Sequence, residues 1–120
     1  MQILIVDDIP EYLYALSRAL GKEHEILCAQ SLEEAKTRMT AGVGLAIVDV
    51  RLSETDAENR EGIMLLKWIK EKHPGIPVLL MSAYRDYEAA VDAVNLGADG
   101  YLKKPVNLQE LKQLIAELTR

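Results

Sequence analysis

Ile3-Leu4-Ile5-Val6-Asp7-Asp8 near the start of the chain and Leu45-Ala46-Ile47-Val48-Asp49 in its middle share one form: a short apolar run that ends on acid. Runs of this length, rich in Ile and Val, read as strands buried on both faces, the condition of strands in a parallel sheet. Open α/β sheets place their ligands just beyond the carboxyl ends of their strands. Two separate strands therefore deliver three carboxylates, Asp7, Asp8 and Asp49, to one edge. Clustered carboxylates raise one another's pKa unless a positive group compensates. An all-oxygen ligand set suits Mg2+ or a similar hard cation. Tyr101-Leu102-Lys103-Lys104-Pro105 follows a later strand and brings a cation to the same edge.

Outward from these two runs, strands and helices alternate along the whole chain. The first strand reads over residues 2–7. Pro10 suits the first turn of a helix, and Leu13, Leu16, Ala19 and Leu20 recur at helical spacing until Gly21. Glu25–Ala29 reads as strand two. Ser31 with Glu34 is a capping-box pattern opening a short helix through Met39, ended by Gly42 and Gly44. Strand three spans Leu45–Val50, helix three Gly62–Lys72, strand four Pro77–Ser82, helix four Asp86–Leu96 and strand five Asp99–Lys103. Asn107 with Glu110 forms a second capping box before a last helix with Leu108, Leu111, Leu114, Ile115 and Leu118 on one face. Five strand–helix units predict an α/β fold: a doubly wound five-stranded parallel sheet. Strand order 2-1-3-4-5 puts the switch point between the two acid-bearing strands.

The 120 residues suffice for one domain, expected over 1–120. Hydrophobic residues make up 49% and charged residues 28%, an ordinary globular mixture. A net charge of −5 argues against a general nucleic-acid or anionic-membrane surface. Cys28 is the sole cysteine, which excludes an intrachain disulfide and a cysteine-built metal site. No apolar stretch reaches transmembrane length and the N-terminus carries no signal pattern, so a cytoplasmic protein is the expectation.

In order and on these strands, the residues resemble the receiver domains of bacterial two-component response regulators, over essentially all of the chain. The acidic pair after strand one is matched by Asp7 and Asp8, the phosphoacceptor at the end of strand three by Asp49, and the hydroxyl ending strand four by Ser82. The aromatic of strand five is matched by Tyr101 and the Lys-Pro pair by Lys104 and Pro105; Lys104 is chosen over Lys103 because it directly precedes the proline. The resemblance implies a flavodoxin-like fold and a domain that accepts a phosphoryl group from a sensor histidine kinase or phosphotransfer protein. It implies Asp49 as nucleophile and Mg2+ held by Asp8, Asp49 and the Arg51 carbonyl, with Asp7 acting through a metal-bound water. Lys104 and Ser82 then meet phosphoryl oxygens, and small Ala83 leaves access. Ser82 and Tyr101 form a switch, and the Lys104–Pro105 bond is cis. The face of helix four, strand five and the last helix becomes a docking or homodimer surface, with no direct nucleic-acid or membrane contact by this domain.

Two departures stand out. Ser53 holds a position where the family commonly has proline, and Gly62 lies thirteen residues after Asp49, so residues 51–61 form a loop about five residues longer than usual. Val106 replaces a bulky aromatic. Neither change removes a chemical group. Tyr84 and Arg51 flank the site as candidate tuners of hydrolysis, Met64 and Trp68 are expected to cover the long loop, with a partner surface as the alternative, and Cys28, His24 and His73 read as packing or surface residues. Three other functions share part of this pattern. A phosphohydrolase wants a general acid two residues past the nucleophile, where Arg51 stands. A flavin mononucleotide carrier wants a Gly- or Ser/Thr-rich loop in place of Asp7-Asp8-Ile9-Pro10. A receiver-like module that takes no phosphate differs only by measurement.

Overall fold

The structure is a computed structural model and describes residues 1–53, 55–56, 58–83, 91 and 94–120. Its elements are β1 (Gln2–Val6), α1 (Pro10–Leu20), β2 (Glu25–Ala29), α2 (Leu32–Arg38), β3 (Val43–Asp49), α3 (Glu61–Lys72), β4 (Val78–Ser82), β5 (Gly100–Lys103) and a last helix, Leu108–Leu118. The strands form one parallel sheet in the order β2-β1-β3-β4-β5.

The period of two along a strand explains why the apolar runs are unbroken. Leu4, Val6, Ala46, Val48, Val78 and Leu80 face one core, closed by Leu32 and Ala35 of α2 and Leu65, Leu66 and Ile69 of α3. Ile3, Ile5, Leu45, Ile47, Leu79 and Met81 face the other, closed by Leu13, Leu16 and Leu20 of α1 and by Leu111 and Ile115 of the last helix. Every residue from Ile3 to Val6 and from Leu45 to Val48 has no exposed surface.

The caps read in the sequence are present. Ser31 Oγ accepts the Glu34 N–H at 3.1 Å, and Asn107 Oδ1 accepts the Glu110 N–H at 3.0 Å. Pro10 opens α1, and the Gly21 N–H closes it on the Ser17 carbonyl at 2.8 Å. Gly97 takes a positive φ of 96° just before β5. The Lys104–Pro105 bond is cis.

Some boundaries differ from expectation. β3 begins at Val43, two residues early, because Gly44 does not stop the strand: pairing passes from Gln2↔Val43 to Ile3↔Leu45 and leaves Gly44 as an extra residue against β1. Asp99 is not in β5; its carboxylate instead accepts the Val78 N–H at 2.8 Å and pairs with Lys70 at 2.6 Å. Trp68 and Met64 do not share one role. Trp68 packs on the first core with Lys36 5.7 Å above its ring and His73 beside it, while Met64 stays exposed. Tyr84 and most of the helix expected over 86–96 lie outside the described residues.

Candidate functional site

The acid edge forms where β1 and β3, neighbours in the sheet, both stop. Asp7 still pairs its N–H with the Ala29 carbonyl at 3.1 Å, so it is held as firmly as a strand residue. Its Oδ1 accepts the Ile9 N–H at 3.0 Å, an Asx-type turn that steers the chain into α1. Asp49 is the last residue of β3. Its Oδ1 accepts the Arg51 N–H at 3.4 Å, and Asp7, Asp8 and Asp49 each offer an oxygen within 4.8 Å of the others. Asp7 is fully buried, Asp49 is 6% exposed and Asp8 is half-buried.

Lys104 bridges two of the three acids. Its Nζ lies 2.8 Å from Asp7 Oδ2 and 2.9 Å from Asp49 Oδ2. One ammonium cannot balance three carboxylates, and the remainder shows in the titration of Asp49. Burial and the adjacent Asp7 charge push its carboxyl up to about 7, against the pull of Lys104 and the Arg51 N–H. Burial alone lowers the ammonium of Lys104; its bonds to Asp7 and Asp49 outweigh that and raise it. A site this acidic, built only of hard oxygens and short of positive charge, fits a small divalent cation such as Mg2+.

The hydroxyl side of the site is built by β4 and β5. Ser82 ends β4 next to the strand of Asp49 and has no exposed surface. Its Oγ donates to the Ala83 carbonyl at 3.3 Å and is hydrogen-bonded to the Tyr101 hydroxyl, which therefore acts as the donor. The Lys104 N–H closes the corner on the Ser82 carbonyl at 2.9 Å. Tyr101 is half-buried against the first core and Lys103 is exposed.

The long loop is tied at its base. Leu52 is buried, and its N–H donates to Asn59 Oδ1 at 3.0 Å. The same oxygen accepts the Glu61 N–H at 3.0 Å, and Asn59 Nδ2 donates to Glu61 Oε1 at 2.8 Å. Gly62 donates to the Val50 carbonyl at 2.9 Å, and a Cβ there would fall 1.9 Å from the Asp49 carbonyl oxygen. The start of α3 thus rests directly on the backbone of Asp49.

Of the residues singled out at this edge the structure brings together Asp7, Asp8, Asp49, Arg51, Ser82, Tyr101 and Lys104, while Tyr84 lies outside the described residues. Two more belong to this edge. Asn59 was hidden among the polar residues of a long loop. Tyr12 places its ring 4.1 Å from Lys104 Nζ. Its only signal was its position, four residues past the acidic pair.

Residues 3–116 match the family model described as the response regulator receiver domain. The chain is 37% identical over 113 residues to the DNA-binding transcriptional regulator NtrC of Proteus hauseri, a match covering 94% of this chain and 23% of that protein. It superposes on the receiver domain of NtrX from Brucella abortus with a TM-score of 0.86 at 28% identity, covering 98% of this chain and 97% of that one. A receiver domain protein from Clostridium thermocellum gives a TM-score of 0.86 at 26% identity, covering 98% and 93% of the two chains. The chain spans about a quarter of the length of the curated relatives it matches.

Proposed function

Because this chain belongs to the response regulator receiver domain family, we propose that Asp49 is its phosphoacceptor and that residues 1–120 act as one phosphorylation-controlled signalling domain. The observation that carries this is the Lys104 bridge. A half-buried cation sits 2.9 Å from a buried aspartate whose carboxyl is pushed up to about 7, at the switch point of the sheet. That is a nucleophile with its charge compensator already in contact.

The transfer needs little covalent machinery, because the charge of a phosphoryl group in flight spreads over its equatorial oxygens. A carboxylate oxygen of Asp49 forms the new O–P bond as the P–N bond of a phosphohistidine breaks and the leaving imidazole nitrogen keeps the electron pair. Lys104 follows one phosphoryl oxygen as a point charge, and the Ser82 hydroxyl donates to another. Asp8, Asp49 and the Arg51 carbonyl would hold Mg2+, with Asp7 supporting it less directly, and the ion would supply positive charge to offset that of the phosphoryl oxygens. The same groups assist the later hydrolysis of the acyl phosphate. The donor is a sensor histidine kinase or phosphotransfer protein in the cytoplasm, and the product state controls an output domain or partner. Among the described residues no helix is long and apolar enough to cross a membrane.

Incubation with acetyl phosphate and Mg2+, followed by intact mass, tests the reading. One phosphoryl adduct is expected, lost in Asp49→Ala and lost when the metal is chelated. Equal labelling of Asp49→Ala and wild type sinks the assignment.

A further inference from the structure

Tyr12 belongs to the site, and this chemistry leaves it unused. It stands third in α1, and its N–H donates to the Ile9 carbonyl at 3.1 Å. The turn through Asp7, Ile9 and Pro10 folds its half-buried ring back over the acid edge. There the Lys104 ammonium lies 4.1 Å from the ring centroid, well inside the range of a cation–π contact. The ammonium of Lys104 therefore has three neighbours: Asp7 at 2.8 Å, Asp49 at 2.9 Å and the face of Tyr12.

We propose that Tyr12 is a positioning residue for Lys104, its ring face holding the ammonium beside Asp49 once a divalent cation claims the carboxylates. The inference rests on the phosphoacceptor reading above and adds a residue to it. A cation bound among Asp7, Asp8 and Asp49 competes with Lys104 for the same oxygens and repels it. The lysine stem is flexible and its ammonium strongly hydrated, so without another contact it swings out to water. An aromatic face attracts the ammonium through its quadrupole while adding no net negative charge. It thus competes neither with the metal nor with an incoming phosphoryl oxygen. A carboxylate in its place would hold Lys104 too well. An aliphatic residue would fill the space and leave the charge unheld. The ring face is what the argument requires; the Tyr12 hydroxyl is not.

The test is the rate of labelling by acetyl phosphate at fixed Mg2+, read by intact mass. Wild type, Asp49→Asn, Tyr12→Phe and Tyr12→Leu are compared, with a thermal melt of each to establish that it folds. Tyr12→Leu should label about three- to tenfold more slowly, the size of one partly desolvated cation–π contact. Tyr12→Phe should rescue the rate. If Tyr12→Leu does not fold, Tyr12→Met carries the same expectation. Equal rates in Tyr12→Leu and wild type overturn the proposal. So does an equal loss in Phe and Leu, which would assign the effect to the hydroxyl. Wild type labelled no faster than Asp49→Asn overturns the phosphoacceptor reading, whatever the Tyr12 variants do.

Discussion

At the scale of single residues the site is governed by one imbalance: three carboxylates share one ammonium. Asp49 bears the result together with its burial: burial first, and the Asp7 charge second, raise its carboxyl from the ordinary 3.8 to about 7. Between those values the folded chain holds a proton that the unfolded chain has released. Stability contributed by this group therefore falls as pH rises from about 4 through about 7. Lys104, raised above its usual value, acts elsewhere: its contribution is complete below the unfolded lysine value and is lost only in alkali. Asp49→Asn should accordingly stabilise the metal-free domain at pH 8 by on the order of 1–4 kcal/mol and by much less near pH 4.5. Denaturant melts of both proteins at the two pH values measure it; an equal gain at both pH values contradicts the raised carboxyl of Asp49. Mg2+ opposes the same repulsion. It should raise the melting temperature of wild type by mass action, more at pH 8 than at pH 5.5, where the proton competes with it. Asp8→Asn should abolish that rise more completely than Asp7→Asn, because both Asp7 oxygens are already engaged by the Ile9 N–H and by Lys104. The residue types of this edge could be read from the chain because each sits at a strand end. The partner of Tyr12 could not, since a cation–π pair between α1 and the turn after β5 depends on tertiary approach.

At the scale of elements, the sequence carried the helix caps and the buried strands, whose signals are local. Ser31 and Asn107 accept the N–H groups three residues on, as their spacing to Glu34 and Glu110 implied. Where two elements compete for one residue the local signal failed. Gly44 looked like a stop and is an extra residue within β3 that has no partner in β1; Asp99 looked like strand and instead ties β4 to Lys70. Met64 and Trp68, four residues apart, share a helix face but not an environment. The junction of β3, loop and α3 gives two predictions. Gly62 lies in helix, where Ala is ordinarily favoured by about 1 kcal/mol. Here a Cβ would fall 1.9 Å from the Asp49 carbonyl, so Gly62→Ala should instead destabilise, by about 2 kcal/mol or more. A denaturant midpoint at or above wild type would show that α3 does not rest on Asp49. Asn59→Ala removes the acceptor shared by Leu52 and Glu61. Amide exchange at those two N–H groups should accelerate while β1 and β3 amides stay protected. Uniform acceleration would mean that Asn59 supports the whole fold rather than the loop.

At the scale of the whole molecule, the sheet order puts β1 and β3 at the centre, and the two-residue period sends their side chains into separate cores. The order was legible because alternating strands and helices with right-handed crossovers leave few topologies. The consequence for signalling is directional. The acid edge lies on the central strands, whereas Ser82 and Tyr101 lie toward the β4–β5 side. Ser82 has no exposed surface, and its hydroxyl is held by Tyr101 and the Ala83 carbonyl. Turning to a phosphoryl oxygen on Asp49 would cost Ser82 the bond it donates to the Ala83 carbonyl and would move the oxygen onto which Tyr101 donates, leaving Tyr101 to repack against the first core. The Lys104 N–H on the Ser82 carbonyl carries the same change into the turn after β5. Amide exchange with beryllofluoride and Mg2+, as a phosphoryl mimic, should therefore differ most over residues 82–95 and 99–106, with β2 on the far edge unaffected. Tyr101→Phe deletes the hydroxyl that holds Ser82, and should spread the same exchange change to the domain without the mimic, at reduced amplitude. A response confined to residues 51–61 would reject this route and make the long loop the output element.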